Sequence, residues 1–118
     1  MYNREDAGME EQVTVLCASS AYEKKYYLNE EFNGLPDRVK NELKIACVVF
    51  TEDVGGILTI LFDEDGYLTL RPEKDEDDVL YDDIGCGLKI RQLELEKQEL
   101  FEQLENYYKV FIRREDNM

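Results

Sequence analysis

The chain has 118 residues, 43% of them hydrophobic and 36% charged, and its 28 acidic residues against 14 basic ones give a net charge of −14. This length is enough for one domain, and the excess negative charge disfavours direct binding to nucleic acid or to an anionic membrane surface. No stretch approaches the ~18 apolar residues that span a bilayer, and the polar N-terminal segment is no secretory signal. We therefore expect a cytoplasmic protein.

Two residue types limit the chemistry. The chain has no histidine, which excludes a Ser–His or Cys–His nucleophile pair and any histidine-ligated metal site. Its three cysteines, Cys17, Cys47 and Cys86, are odd in number and widely spaced, so they form neither a disulfide framework nor a Cys-x-x-Cys pair. We interpret them as buried small residues, and the sequence identifies no catalytic residue, no cofactor site and no metal site.

The N-terminal region predicts a tail followed by a hairpin. Residues 1–12 are polar and aperiodic, which is typical of a flexible tail. Residues 13–17 and 22–28 are rich in β-favouring side chains, and the small residues 18–21 between them predict the turn.

The next segment predicts a helix, with a strand as its competitor. Pro36 and Asp37 are typical of a helix start, and Gly55 with Gly56 marks its end. The apolar residues between them have helical spacing: Val39, Leu43, Ala46, Cys47, Phe50 and Val54. Residues 44–51 are the ambiguous part, because 45–51 are rich in β-branched side chains and are also compatible with a strand. We favour the helix because the start, the stripe and the stop agree.

A second hairpin is predicted after this helix. Residues 57–62 are apolar on both faces, which is typical of a central strand. Asp65-Gly66 predicts a tight turn, and residues 67–71 alternate with Leu68 and Leu70 inward until Pro72 ends the strand. A calcium loop beginning near Asp63 is disfavoured, because the EF-hand register would need ligands from leucine and proline.

A long helix is predicted from about residue 82 to 113, and its apolar residues form two stripes. One stripe suits packing on a sheet: Ile90, Leu93, Leu100, Phe101, Leu104, Tyr108 and Phe111. The other lies on the opposite face of the N-terminal half and is the candidate interface: Tyr81, Ile84, Leu88 and Leu95. It predicts contact with another part of the fold or with another subunit.

The start of this helix is also the candidate ligand cleft. Gly85, Cys86 and Gly87 permit close approach of a backbone or a ligand, although close helix packing explains them as well. The acidic run of residues 73–83 just before them is suited to a hard cation or a basic partner, but a solvated loop is the commoner role for such a run.

Four segments carry a resemblance: KYYLNEEFNGLP (25–36), FTEDVGGILTILFDEDG (50–66), YDDIGCGLKI (81–90) and EKQELFEQLENYYKVF (96–111). Over about residues 13–112 the chain resembles a family of small uncharacterised proteins of clostridial gut bacteria, a domain of unknown function. The string beginning at Phe50, FTEDVGGI, is its most specific part. The resemblance implies a cytoplasmic bacterial protein and transfers no activity.

The predicted fold is a two-layer α+β sandwich in the order β-β-α-β-β-α, with a mostly antiparallel sheet of four to five strands and two main helices. Residues 13–114 form the single domain, and residues 115–118 form a C-terminal tail. The chain also has eight tyrosines and no tryptophan, and tyrosine is an amphipathic residue that is common at interfaces. The acidity, these tyrosines and the second stripe favour a non-enzymatic interaction or adaptor domain, acting as a homodimer or with a basic protein partner. The alternative is a small-molecule or cation binder that uses the cleft at Gly85, Cys86 and Gly87.

Overall fold

A four-stranded antiparallel sheet forms one layer of the protein. The computed structural model describes residues 12–113, so the predicted tails at 1–12 and 115–118, apart from Gln12, lie outside the described residues. The strands are β1 (Thr14–Ser20), β2 (Lys25–Leu28), β3 (Ile57–Phe62) and β4 (Leu68–Glu73), in the spatial order β2-β1-β3-β4. As predicted, β3 is an interior strand, and both Ile60 and Leu61, which point to opposite faces, are buried.

Three helices form the other layer. They are α1 (Asp37–Val54), α2 (Asp83–Glu96) and α3 (Gln98–Tyr107), with a 3₁₀ turn at Glu30–Phe32 and a final π-helical turn at Tyr108–Ile112. The predicted α+β class, antiparallel sheet and element order are therefore confirmed, except that the last helix is divided. No helix within residues 12–113 is long and apolar enough to cross a bilayer.

Aromatic stacking joins the two layers. The ring of Phe62, on β3, lies 4.3 Å from that of Tyr108 and 5.7 Å from that of Phe32, measured between centroids. All three side chains are buried, and such stacked pairs add about 0.5–1.5 kcal/mol to the stabilisation from burial. The end of the C-terminal helical segment is thus fixed to the centre of the sheet.

The favoured helix over residues 37–54 is confirmed, and the strand alternative for 44–51 is wrong. The chain leaves α1 through Gly55 (φ 95°) and Gly56 (φ 71°), which adopt backbone conformations that side chains disfavour. A Cβ at Gly56 would also overlap the Glu73 carbonyl oxygen and lie 2.7 Å from Cε1 of Tyr81. The glycine pair therefore stops the helix and also makes room for Tyr81.

The first hairpin turns later than predicted. Residues 18–20 belong to β1, and the turn lies at residues 21–24, so Tyr22 is in the turn and not in a strand. Ser19 is buried, and its Oγ lies 2.9 Å from Oγ1 of Thr51 on α1. This hydrogen bond gives the hydroxyl of Ser19 a polar partner inside the strand.

The last strand and the last helix also differ from their predictions. β4 continues through Pro72, which an edge strand tolerates because a proline nitrogen can face solvent. The helix predicted for 82–113 bends at Lys97 (φ −108°, ψ 18°), outside the helical range. The bend lets α2 pack on α1 while α3 packs on β4. Phe111, predicted in the buried stripe, is exposed.

Candidate binding surfaces

Three of the four candidate interface residues form an exposed apolar stripe on α2. Ile84, Leu88 and Leu95 are 79%, 67% and 70% exposed. Their spacing places them on one face of the helix, away from Cys86 and Leu93, which face the core or α1. The fold itself leaves this stripe uncovered, as far as the described residues show.

A shallow groove between α1 and α2 borders this stripe. Its volume is about 330 Å³, and Ile45 and Val49 from α1 line it together with Gln92 and Leu93 from α2. Gln92 lies four residues after Leu88 and three before Leu95, so the stripe and the groove are neighbours on the helix surface. We call the stripe and the groove together the α1–α2 surface.

Two ion pairs link the helices on either side of this groove. Lys89 Nζ lies 2.9 Å from the Asp53 carboxylate, and Lys97 Nζ lies 3.1 Å from the Glu42 carboxylate. Pairs as exposed as these contribute little to stability. Each ion pair neutralises charge beside the groove, so the floor of the groove is mainly apolar in character.

The fourth candidate, Tyr81, lies apart from the stripe. It is half-buried against Gly55 and Gly56, and its hydroxyl donates to Cys86 Sγ at 3.1 Å. Burial, then this hydrogen bond, raises the pKa of the Tyr81 hydroxyl. Tyr81 therefore packs within the domain and anchors the chain before α2.

The three residues of the candidate ligand cleft lie in the first turns of α2. Asp82 caps α2, because its carboxylate accepts from the Gly85 N–H at 2.8 Å. A Cβ at Gly85 would overlap that carboxylate, whereas nothing lies within 4 Å of one at Gly87. Cys86 is buried in the core. Capping explains Gly85 and packing explains Cys86, whereas nothing in the structure explains Gly87. None of these three residues lines the groove between α1 and α2.

The acidic segment is fixed by a tyrosine from the first hairpin. The Tyr22 hydroxyl donates to the Asp78 carboxylate and accepts from the Asp75 N–H at 3.0 Å. The bond to Asp78 is the main reason that the pKa of Tyr22 is raised. Within residues 12–113 no three side chains of metal-binding type come together, and the Asp63 carboxylate accepts from two N–H groups of its own hairpin turn.

The larger pocket was not anticipated from the sequence. We call it the hairpin pocket, because it lies between the β1–β2 hairpin and the C-terminal half of α1, with a volume of about 830 Å³. Its charged lining residues are Lys24, Lys25, Lys44, Glu52 and Asp53. The sequence signal that could have found it is a local pair of lysines in a strongly acidic chain.

Polar side chains lie at the base of the hairpin pocket. Ser19, Thr51 and Tyr26 line it. Deeper in the core, Cys17 Sγ and Cys47 Sγ are 3.7 Å apart, and all three cysteines are free thiols. The contact with Cys17, then burial, raises the pKa of Cys47, and burial raises the pKa of Tyr26. Both groups therefore stay protonated at neutral pH.

The fold and these surfaces define a small acidic α+β domain in which the described residues form an open concave surface on each side of α1. The model of a family of unknown function, DUF6145, matches residues 13–116, and the chain belongs to that family. The predicted membership of a domain family of unknown function is thereby confirmed, while the clostridial range of the family stays a prediction. No curated protein and no solved structure matches the chain.

Proposed function

We propose that the chain is a non-enzymatic, cytoplasmic protein-interaction domain whose α1–α2 surface binds a basic segment with an apolar face. The observation that carries the proposal is the uncovered stripe of Ile84, Leu88 and Leu95 beside an apolar groove. Fully burying a leucine or isoleucine contributes about 1.5–3 kcal/mol. Three such side chains supply a central anchor of the kind that dominates binding energy at interfaces.

Charge selects the partner. A homodimer would bring together two chains of −14 each, and charges of one sign at this level oppose association. Acidic side chains are also abundant along α2 and α3: Glu94, Glu96, Glu99, Glu102 and Glu105. A positively charged partner gains from this field, both in its rate of association and in specificity. An amphipathic basic helix lying in the groove is the simplest occupant.

The cytoplasmic setting is part of the proposal and has its own support. Cys17 and Cys47 are neighbours in the core, yet no disulfide joins their sulfur atoms, which lie 3.7 Å apart. Free thiols are typical of a reducing compartment. The net charge of −14 also supports the expectation that nucleic acid is not a partner.

The test begins with a photo-crosslinking amino acid placed at Leu88 in cells of the source organism. The matched control carries it at Val79, which is equally apolar and 90% exposed but lies outside the α1–α2 surface. We expect one dominant adduct from Leu88, joined to a basic amphipathic segment of another protein. Adducts of the chain with itself would indicate a homodimer, and the same adducts from both positions would refute the surface.

The second step uses a synthetic peptide of the captured segment and fluorescence anisotropy. The double variant Leu88→Gln/Leu95→Gln should weaken binding by about 100-fold, since each lost anchor costs on the order of 1–2 kcal/mol. Val79→Gln should bind like the wild type. Because all three side chains are exposed, the free energy of unfolding should change by no more than about 0.5 kcal/mol in either variant.

A further inference from the structure

We propose that the hairpin pocket is a binding site for a small organic phosphate that carries hydroxyl groups, such as a sugar phosphate. This site lies on the other flank of α1 from the α1–α2 surface, and its existence does not depend on the proposed protein partner. Val48 and Thr51 line the hairpin pocket, whereas Ile45 and Val49 line the groove. The pocket volume of about 830 Å³ lies within the usual range for small-molecule sites.

The pocket concentrates positive charge in an acidic protein. Three lysines line it, namely Lys24, Lys25 and Lys44. None of them forms an ion pair with another described residue, whereas the ammonium groups of Lys40, Lys74, Lys89 and Lys97 do.

The acids of the pocket do not cancel these lysines. The Asp53 carboxylate is engaged at 2.9 Å by Lys89 of α2, a residue that lines the groove. Glu52 is then the one lining acid without an ion pair among the described residues. The local balance is therefore positive, although the whole chain carries −14, and distant charges are screened beyond about 8 Å at physiological salt.

Lysine chemistry favours phosphate over carboxylate. A phosphate ester carries about −1.5 to −2 charges and three acceptor oxygens at neutral pH, which suits several ammonium groups acting as point charges. Planar, bidentate recognition of a carboxylate is the role of arginine, and the charged lining among the described residues has lysine but not arginine.

Hydroxyl and apolar groups are positioned for the remainder of the ligand. Ser20 Oγ accepts from the Glu23 N–H at 3.2 Å, so its own proton is free to donate. Glu52 is available to accept from a sugar hydroxyl, and Val48 and Leu80 supply apolar contact area. This combination of a few polar groups with apolar walls is typical of small-ligand sites.

The test is a titration of the isotope-labelled protein, followed by amide NMR shifts at constant ionic strength. The probes are inorganic phosphate, ribose 5-phosphate and, as the carboxylate counterpart, gluconate. We expect saturable shifts confined to the amides that line the hairpin pocket, with ribose 5-phosphate binding more tightly than inorganic phosphate. Gluconate should bind at least tenfold more weakly than ribose 5-phosphate.

Matched variants decide the result. Lys24→Gln and Lys44→Gln should each weaken ribose 5-phosphate binding by about tenfold, in line with the loss of one charge-assisted contact. Arg38→Gln removes the same charge from α1 outside the pocket and should bind like the wild type. Unsaturable shifts, or equal loss in all three variants, would overturn the site. Equal affinity for gluconate would overturn its assignment to phosphate.

Discussion

Replacement of two glycines by alanine should have opposite effects on stability. At Gly56 the backbone has φ 71°, and a left-handed conformation costs a residue with a Cβ about 1–2 kcal/mol. The new methyl group would also overlap the Glu73 carbonyl oxygen and lie 2.7 Å from the Tyr81 ring, and overpacking of this kind costs about 1–3 kcal/mol. Gly56→Ala should therefore lower the free energy of unfolding by about 2–5 kcal/mol.

Gly87→Ala is the matched control for this change. Gly87 lies inside α2, and nothing lies within 4 Å of an added Cβ. Alanine at a helical position is favoured over glycine by about 0.5–1 kcal/mol, so this variant should be more stable than the wild type by that amount.

The assay is urea unfolding followed by far-ultraviolet circular dichroism, with both variants measured beside the wild type. A domain of this size is stable by roughly 5–15 kcal/mol, so the expected loss in Gly56→Ala is a large fraction of the total and easily resolved. A Gly56→Ala variant within about 0.5 kcal/mol of the wild type would refute the packing of Tyr81 on the glycine pair. A destabilised Gly87→Ala variant would show that its side of α2 is covered.

Three further outcomes test the polar residues between the sheet and α1. Ser19→Ala should lower the free energy of unfolding by about 1 kcal/mol in the same urea assay. The loss is small because the Thr51 hydroxyl keeps its hydrogen bonds to the carbonyls of its own helix. A loss above about 3 kcal/mol would contradict this. The Tyr26 hydroxyl is buried without a hydrogen bond to a described residue. Tyr26→Phe should therefore be neutral or stabilising by up to about 1 kcal/mol, as measured by thermal unfolding. A clear loss of stability would reveal a hydrogen bond from Tyr26 to a cysteine thiol. Burial raises the pKa of Tyr26, so its contribution to the free energy of unfolding is fully present below about pH 10, where an unfolded tyrosine stays protonated, and is lost above it. In urea titrations at alkaline pH, the stability of Tyr26→Phe should therefore decline less steeply than that of the wild type. Parallel curves would refute the effect.

The elements that the sequence predicts correctly depend on local signals. The start at Pro36 and the stop at Gly55 and Gly56 lie at the two ends of one apolar stripe, and each signal acts over a few residues. Asp65-Gly66 likewise specifies its hairpin through a positive φ at Gly66. Ile84, Leu88 and Leu95 share one face by helical spacing, and the structure leaves their side chains exposed. Their role as an interface stays a prediction.

The errors come from interactions between distant parts of the chain. Ser19 is a residue type typical of turns, and its place in a buried strand depends on the hydrogen bond with Thr51, 32 positions later in the chain. The bend at Lys97 has no proline or glycine to mark it, and it follows from α2 and α3 packing on different partners. The hairpin pocket likewise exists only once Lys44 on α1 is brought beside the hairpin that carries Lys24.

The two outer strands of the sheet have a consequence for how the protein meets its neighbours. An open strand edge is a template for pairing with another chain, and natural proteins block it with short strands, prolines and charges. Here β2 has only four residues, and β4 carries Pro72 between Arg71 and Glu73. Both borders are therefore poor acceptors of an added strand, which protects the protein from forming intermolecular β-sheet when it is concentrated in the cell.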